Sequence, residues 1–285
     1  MHSEPSLVTR DLEARVRDAT AHIRARSSLV PRLALTLGSG LGGVIDAIEG
    51  AVVLPTAEIP HWPPSTVVGH SGRLALGTWR GVPVVALAGR SHRYEGYTLD
   101  RVTFGQRVMV ALGATTTILT NAVGAIHPEL RPSDLVLATG HINWIGKRGL
   151  FTPAELVERR AGRRLASPCD ESLGEALARA ALRAGVRLRR GTLMGGHGPT
   201  YETAAEVRMA ARLGGDVACM STVHEITVAA ELGTKCASIS AVTNRATGFA
   251  DGPLTHDEVT EVADRAAAGL TAILAAYIDS IAAES

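Results

Sequence analysis

Six separated segments of this chain each end an apolar run with residues that can bind a polar ligand. They read LALTLGSGLGG (33–43), VVALAGRSHRYEGY (84–97), ILTNAVGA (118–125), GPTYETAAE (198–206), ACMSTVHE (218–225) and SAVTNRATGF (240–249). Open α/β sheets place their sites at the carboxyl ends of strands, so an apolar run that stops at such residues is typical of a buried strand beside a ligand. The pattern predicts an enzyme with one composite site.

A glycine-rich turn follows the first of these strands. Backbone N–H groups in such a turn bind anions well, and Ser39 adds a hydroxyl donor, which favours a phosphate cradle. Gly38, Gly40 and Gly43 also match the G-x-G-x-x-G spacing of dinucleotide-binding folds. Pro55 disturbs the second strand that such a fold needs. A nicotinamide site and a purely structural turn therefore stay as alternatives to the cradle.

Arg90, His92 and Tyr94 alternate along the second segment. In extended backbone these three side chains share one face and can enter a site together. Arginine suits bidentate binding of phosphate, histidine adds a hydrogen bond or manages a proton, and the tyrosine ring can pack on a sugar. The alternative is an exposed loop in which Arg93 and Tyr94 only pack.

Three further polar residues follow predicted strands or precede predicted helices. Ser221 comes before a helix start, where an anion is favoured, although simple capping would also explain it. Glu202 can accept from a ligand N–H or only favour the helix dipole. Asn244 can donate and accept at the edge of a heterocycle, or serve as a turn residue. Together the donors, the aromatic ring and the base-edge groups predict a site for phosphate, a pentose and a base.

Alternating strands and helices must position these residues, which predicts an α/β fold in one domain over 1–285, with about 1–10 poorly ordered. Helical spacing predicts helices over 11–27, 98–112, 171–184 and 257–283, and S/T-x-x-E capping boxes begin at Thr203, Thr222 and Thr255. Strands are predicted over 33–37, 51–54, 73–78, 82–88, 115–120, 134–139, 186–194, 216–220 and 236–242. The stretch 146–168 predicts a mobile loop or an interface segment.

Composition narrows the classes of function. The formal net charge of +1 argues against a nucleic-acid partner, and the densest basic cluster (Arg159, Arg160, Arg163 and Arg164) is typical of a solvated helix face or loop. The three cysteines, Cys169, Cys219 and Cys236, lack metal-ligand spacing and fit a reducing compartment. No signal peptide and no run of about 18 apolar residues is evident, so we expect a cytoplasmic protein without a membrane partner.

At this point the chain resembles the trimeric, 6-oxopurine-preferring purine nucleoside phosphorylases. The matching strings are GSGLGG, EIPHWPPSTVVGHSGRL, GRSHRYEGY, TNAVGAIHP, GHINWIG, GPTYETAAE, MSTVHE and VTN. The resemblance implies a phosphorylase/hydrolase-like three-layer α/β/α sandwich with a mixed, mainly parallel central sheet, assembled as a homotrimer. It also implies phosphate-dependent cleavage of inosine- or guanosine-type nucleosides, with inorganic phosphate as co-substrate and with no metal or other cofactor.

The resemblance carries site roles onto this chain. Phosphate would meet Ser39, His70, Arg90, His92, Ala122 and Ser221; the ribose would meet Tyr94, Met220 and His256; the base would meet Tyr201, Glu202 and Asn244. Asn244, Glu202 and His92 would be the catalytic residues.

Four positions depart from the family pattern and bear on substrate preference. They are Val123 and Ala125 after Asn121, His224 where the family commonly has proline, and Leu165 where a neighbouring subunit would lend an aromatic ring. Two alternatives therefore stay open, a 5′-methylthioadenosine phosphorylase and a nucleoside-binding relative without turnover.

Overall fold

The structure, a computed structural model, describes residues 7–38, 41–67, 71–146, 169–249 and 256–283. Several sequence predictions fall outside these ranges: Ser39, His70, Leu165, the arginine cluster at 159–164, and the capping box that begins at Thr255. The side chain of His256 is likewise outside the description, although its backbone begins a helix.

The described residues contain nine strands in one sheet, and every predicted strand is present. The strands are β1 Leu33–Leu37, β2 Glu49–Pro55, β3 Arg73–Trp79, β4 Val82–Ala88, β5 Thr116–Ala125, β6 Leu135–Asn143, β7 Leu188–Gly195, β8 Val217–Cys219 and β9 Lys235–Arg245. Their order is β2-β3-β4-β1-β5-β8-β7-β6-β9. Five of the nine pairings are parallel, so the predicted mixed, mainly parallel sheet is confirmed.

One end of the sheet closes on itself because β9 pairs with β5 as well as with β6. β5, β8, β7, β6 and β9 thereby form a ring filled by apolar side chains, including Leu119, Val123 and Leu193. β8 pairs antiparallel with the last two residues of β5, Gly124 and Ala125. From this pairing the chain of β8 runs toward the middle of β5. The site therefore forms beside the ring, where β8 ends next to β5, and not simply along one edge of an open sheet.

Helices cover both faces of the sheet. They are α1 Leu7–Arg24, α2 Leu99–Val102, α3 Phe104–Ala111, α4 Glu171–Arg183, α5 Ala204–Arg212, α6 Val223–Glu231 and α7 His256–Ala282. Leu177 of α4 and Leu274 of α7 are fully buried in the cluster on one face, whereas Ile23 of α1 and Phe104 of α3 pack in the cluster on the other. This layering confirms the expected α/β sandwich.

The predicted helix over 98–112 is wrong in one respect, because it divides at Thr103 into α2 and α3. The Thr103 hydroxyl donates to the carbonyl of Leu99 at 2.8 Å, a bond to the preceding turn that favours a bend. The stop at Gly113 is present, with a φ of +117° that suits glycine.

One helix among the described residues, Arg265–Ala282, is long and apolar enough by length and composition to cross a membrane. Arg265 and Asp279 interrupt this stretch, so it is not the continuous run of about 18 apolar residues that the sequence was found to lack. Leu270, Ile273 and Leu274 within it are fully buried in the cluster against the sheet, as in the core helix of a globular protein.

The residue after β1 approaches β5 so closely that only glycine fits. A Cβ on Gly38 would lie 2.8 Å from the Cα of Asn121 and 2.9 Å from the carbonyl oxygen of Thr120. The Gly38 N–H donates to the Thr120 hydroxyl at 3.2 Å, so both backbones are held at this spacing. Gly38 therefore sits directly on the centre of β5.

We expect Gly38→Ala to lower the free energy of unfolding by about 1–3 kcal/mol. The added Cβ would meet backbone atoms, which cannot move aside as the end of a flexible side chain can. Gly43→Ala is the matched control, since a Cβ there meets nothing within 4 Å. Urea denaturation of the two variants measures the difference. Equal stability of both would contradict the close-approach argument.

Candidate active site

Nine of the twelve predicted site residues line one cavity, which brings five of the six segments together. The nine are Arg90, His92, Tyr94, Ala122, Tyr201, Glu202, Met220, Ser221 and Asn244. Ser39, His70 and the side chain of His256 lie outside the described residues. Gly38, from the remaining segment, contacts β5 beside this cavity.

Arg90 is held rigidly at one end of the cavity. Its Nε lies 3.0 Å from Oε2 of Glu225, and both side chains are at most 4% exposed. Its Nη1 donates to the carbonyl of Thr120 at 2.8 Å. Burial raises the pKa of Glu225, against the opposing effects of Arg90 and the Thr222 N–H. Sequence reasoning recognised Glu225 only as a helix-capping residue and missed this ion pair.

Glu95 orients His92, and sequence reasoning gave it no role. Oε1 of Glu95 lies 3.0 Å from Nδ1 of His92 and also accepts the His92 backbone N–H at 2.6 Å. The other oxygen accepts the Thr66 N–H and hydroxyl at 2.6 and 2.8 Å. Burial raises the pKa of Glu95, but these hydrogen bonds outweigh it and hold the pKa below its usual range. The H-x-x-E spacing of a capping box is the signal that could have found it.

Ser221 lies at a strained turn before α6. Thr222 has a φ of +68° and a ψ of −47°, and the Val223 N–H donates to the Ser221 carbonyl at 2.7 Å, which is the geometry of a γ-turn. A β-branched residue rarely adopts this conformation, and such strain is often found at functional sites. The Thr222 N–H donates to Glu225 at 3.1 Å, so the predicted capping box is present. The Ser221 hydroxyl contacts the Thr222 hydroxyl at 3.0 Å.

Asn244 lies at an irregularity in β9. The register between β5 and β9 shifts between Val123 and Gly124, so Asn244 pairs with Gly124 and Thr243 is the additional residue. The Thr243 hydroxyl donates to Oδ1 of Asn244 at 2.8 Å, and Nδ2 of Asn244 donates to the Arg245 carbonyl at 3.0 Å. An amide nitrogen carries two donors, so one N–H is left for a ligand.

Glu202 and Tyr201 lie on the loop between β7 and α5 and line the cavity together with Asn244. Burial raises the pKa of Glu202, and nearby Glu206 adds to the effect. Burial also raises the pKa of Tyr201, and Glu202 contributes. Asn121 lines the cavity too, with Nδ2 buried and without a hydrogen-bond partner among the described residues, so it is a further donor that the sequence analysis did not assign.

Tyr94 and Met220 both line the cavity and approach the same glycine, Gly198. The Tyr94 ring stacks on His92 with centroids 4.8 Å apart, and burial raises its pKa to about 12. A Cβ on Gly198 would lie 2.6 Å from Sδ of Met220 and 2.8 Å from Cδ1 of Tyr94, so glycine lets these two side chains approach the loop. The result is an apolar platform beside His92.

Three of the atypical positions are described. Val123 lines the cavity and is 2% exposed. Ala125 is fully buried in the core of the ring and is not among the residues that line the cavity. His224 is fully buried on α6, and neither ring nitrogen has a hydrogen-bond partner among the described residues. Burial lowers the pKa of His224 to about 3, assisted by Arg90, His92 and His141.

The neutral, buried His224 predicts a loss of stability in acid. Its pKa is lowered from an ordinary 6.5 in the unfolded chain, so the unfolded state takes up the proton first as pH falls below 6.5. This group then contributes a loss of about 1.4 kcal/mol per pH unit, continuing down toward the folded pKa. We expect His224→Leu to flatten the acid side of the stability profile, measured by urea denaturation between pH 7 and roughly pH 5.

His127→Leu, at an exposed histidine, is the matched control. An unchanged slope in His224→Leu would show that His224 is not the group responsible.

Comparisons with known proteins agree with this geometry. The model of the Phosphorylase superfamily matches residues 32–279. Purine nucleoside phosphorylase 1 of Bacillus subtilis is 40% identical over 267 residues, which is 94% of this chain and 98% of that protein. Purine nucleoside phosphorylase of Bos taurus is 34% identical over 258 residues, covering 88% of this chain and 89% of that protein.

Solved structures give the same result. The crystal structure of Schistosoma mansoni purine nucleoside phosphorylase in complex with adenosine superimposes with a TM-score of 0.85 at 31% identity, covering 93% of this chain and 96% of that chain. The family match and the full-length relatives together establish the family. The chain belongs to the phosphorylase superfamily and, within it, to the purine nucleoside phosphorylases.

Proposed function

We propose that this protein catalyses phosphate-dependent cleavage of the N-glycosidic bond of inosine- and guanosine-type nucleosides. The products are the free purine and ribose 1-phosphate. The observation that carries the proposal is one cavity whose lining combines three groups that can bind an anion (Arg90, His92 and Ser221), an apolar pair (Tyr94 and Met220) and two groups that can bond a base (Glu202 and Asn244). We call these three sets the anion end, the apolar platform and the base end.

The anion end supports the attacking group. A phosphate held by Arg90, His92 and Ser221 would lie beside the ribose that packs on Tyr94. As the bond from C1′ to N9 breaks, positive charge develops on the ribosyl ring and the phosphate dianion stabilises it. A phosphate oxygen then forms the new bond to C1′, and the electron pair of the broken bond leaves with the purine. No covalent bond to the protein is needed.

The base end supports the leaving group. The free N–H of Asn244 can donate to N7, where negative charge develops as the purine departs. Thr243 fixes the amide orientation through Oδ1, so this donor does not have to reorganise during the reaction. Glu202 can accept the N1–H of a 6-oxopurine, a hydrogen that a 6-aminopurine lacks. The two residues together favour inosine and guanosine over adenosine.

The proposal also covers the co-substrate, the cofactors, the cellular location and the assembly. Inorganic phosphate is the co-substrate, and neither a metal nor an organic cofactor takes part. The protein acts in the cytoplasm, in the salvage of purines, as a homotrimer. Sedimentation equilibrium tests the assembly, for which we expect three times the mass of one chain.

A turnover assay tests the proposed reaction directly. Purified protein is incubated with inosine, guanosine, adenosine and methylthioadenosine, each with and without inorganic phosphate, and base release is followed spectrophotometrically. We expect release from inosine and guanosine only when phosphate is present. Preference for methylthioadenosine would replace the proposed substrate, release without phosphate would indicate a hydrolase, and no release from any nucleoside would indicate a binding protein.

Asn244→Ala tests the role given to the base end. We expect kcat/KM for inosine to fall about 100-fold or more, because one preorganised donor to the developing charge is lost. The KM for phosphate should change little, since the anion end lies at the other side of the ribose. Asn143→Ala is the matched control, because the Asn143 amide bonds Gly146 and does not line the cavity. A parallel loss of phosphate affinity in Asn244→Ala would contradict the separation of the two ends.

A further inference from the structure

A second large cavity lies at the opposite edge of the sheet. Its volume is about 580 Å³, within the usual range for small-molecule pockets. Its floor is formed where β1, β5 and β9 begin, at Arg32, Thr116 and Lys235. These strands pair in parallel, so their amino ends meet at one edge while their carboxyl ends reach the active site. We call this cavity the basic groove.

The lining of the basic groove carries four cations and, among the residues that the structure describes, no carboxylate. The cations are Arg32, Arg179, Arg183 and Lys235. Since the whole chain has a formal net charge of only +1, this is a local concentration of positive charge. Like charges placed together repel one another, and an anion bound among them would remove that cost.

Two of the guanidinium groups are already positioned by backbone carbonyls of α7. Arg32 Nη1 donates to the carbonyl of Ile281 at 3.1 Å, and Arg183 Nη2 donates to the carbonyl of Ala276 at 3.2 Å. Arg179 and Arg183 are four residues apart on α4, so they project from the same face. Three guanidinium groups of the lining are thus placed by the fold: two by these carbonyls and the third by its position on α4.

Asp170, an acid close enough to Lys235 to feel its charge, is already hydrogen-bonded. Burial raises the pKa of Asp170, but hydrogen bonds from Ser172 and Leu173 and the charge of Lys235 outweigh it and keep that pKa low. Oδ1 of Asp170 accepts the Ser172 hydroxyl at 2.7 Å and the Leu173 N–H at 2.8 Å, which caps α4. Asp170 therefore serves the helix start, and its single charge leaves the groove strongly positive.

Hydroxyl groups complete the lining. Thr115, Thr116, Ser172 and Ser280 also line the groove. The hydroxyls of Thr115, Ser172 and Ser280 already donate within the protein, so the Thr116 hydroxyl is the one that can donate to an anionic oxygen. A single phosphate would use only part of such a set, whereas a chain of phosphates presents charge and acceptors along its length. We propose that the basic groove is a second anion site, separate from the active site, which binds a polyphosphate chain of the kind carried by nucleoside triphosphates.

Binding to the full-length protein tests the proposal without reference to turnover. Tripolyphosphate and ATP are titrated by isothermal calorimetry into the wild type and into the double variant Arg179→Glu/Arg183→Glu. Both arginines are exposed, so folding should be unaffected, which a thermal melt checks. We expect the double variant to weaken binding at least tenfold. The charge-matched control is Arg208→Glu/Arg212→Glu, two exposed arginines with the same spacing on α5, and we expect it to bind as the wild type does.

A second pair of substitutions keeps the test independent of charge reversal. Arg179→Gln/Lys235→Gln removes two charges of the groove and should also weaken binding. Comparison of the two probes distinguishes the source of the phosphate chain: equal affinity for tripolyphosphate and ATP assigns the site to the phosphates alone, and tighter ATP binding assigns it to nucleotides. Absence of binding by both probes, binding that survives both groove variants, or an equal loss in the α5 control would overturn the proposal.

Discussion

The buried guanidinium of Arg90 is the contact on which the anion end of the active site depends. It joins the segment after β4 to α6 through Glu225 and to β5 through the Thr120 carbonyl. Removing two charges from water is costly, so such a pair stabilises a fold only when hydrogen bonds satisfy it on all sides. Its main effect is to fix where three elements end relative to one another. Gly38 shows how tight this arrangement is, because a Cβ there would lie 3.2 Å from Nη1 of Arg90.

Two irregularities of the backbone orient two further side chains of the active site, Ser221 and Asn244. The γ-turn at Thr222 lets α6 begin at Val223, with three residues between it and the end of β8 at Cys219, so Ser221 and Glu225 both reach the neighbourhood of Arg90. The shifted register in β9 places Thr243 beside Asn244, where its hydroxyl holds the amide. Irregularities of this kind weaken regular pairing and are often retained next to active sites. Here each one orients a side chain that faces the cavity.

Much of this arrangement is predictable from the sequence because the core dictates it. Apolar runs locate all nine described strands, and polar residues after them identify the cavity lining. Their ends are less predictable: β5 and β9 continue to Ala125 and Arg245 because each supplies the other with hydrogen-bond partners that no single segment reveals. The pairing of Arg90 with Glu225 could not be predicted for the same reason, because it joins two segments that are far apart in the sequence. A capping box explains Glu225 fully at short range, so nothing local indicates its second partner.

The overall composition likewise does not reveal how charge is distributed over the structure. A net charge near zero argues against a nucleic-acid surface, yet it is compatible with a strongly positive groove if the acids are used elsewhere. That is the case here: Asp170 caps α4, Glu95 orients His92 and Glu225 holds Arg90. These three carboxylates have structural tasks, and among the residues that the structure describes the lining of the basic groove contains no carboxylate. The strands that carry the active site at one end thereby carry a second concentration of positive charge at the other.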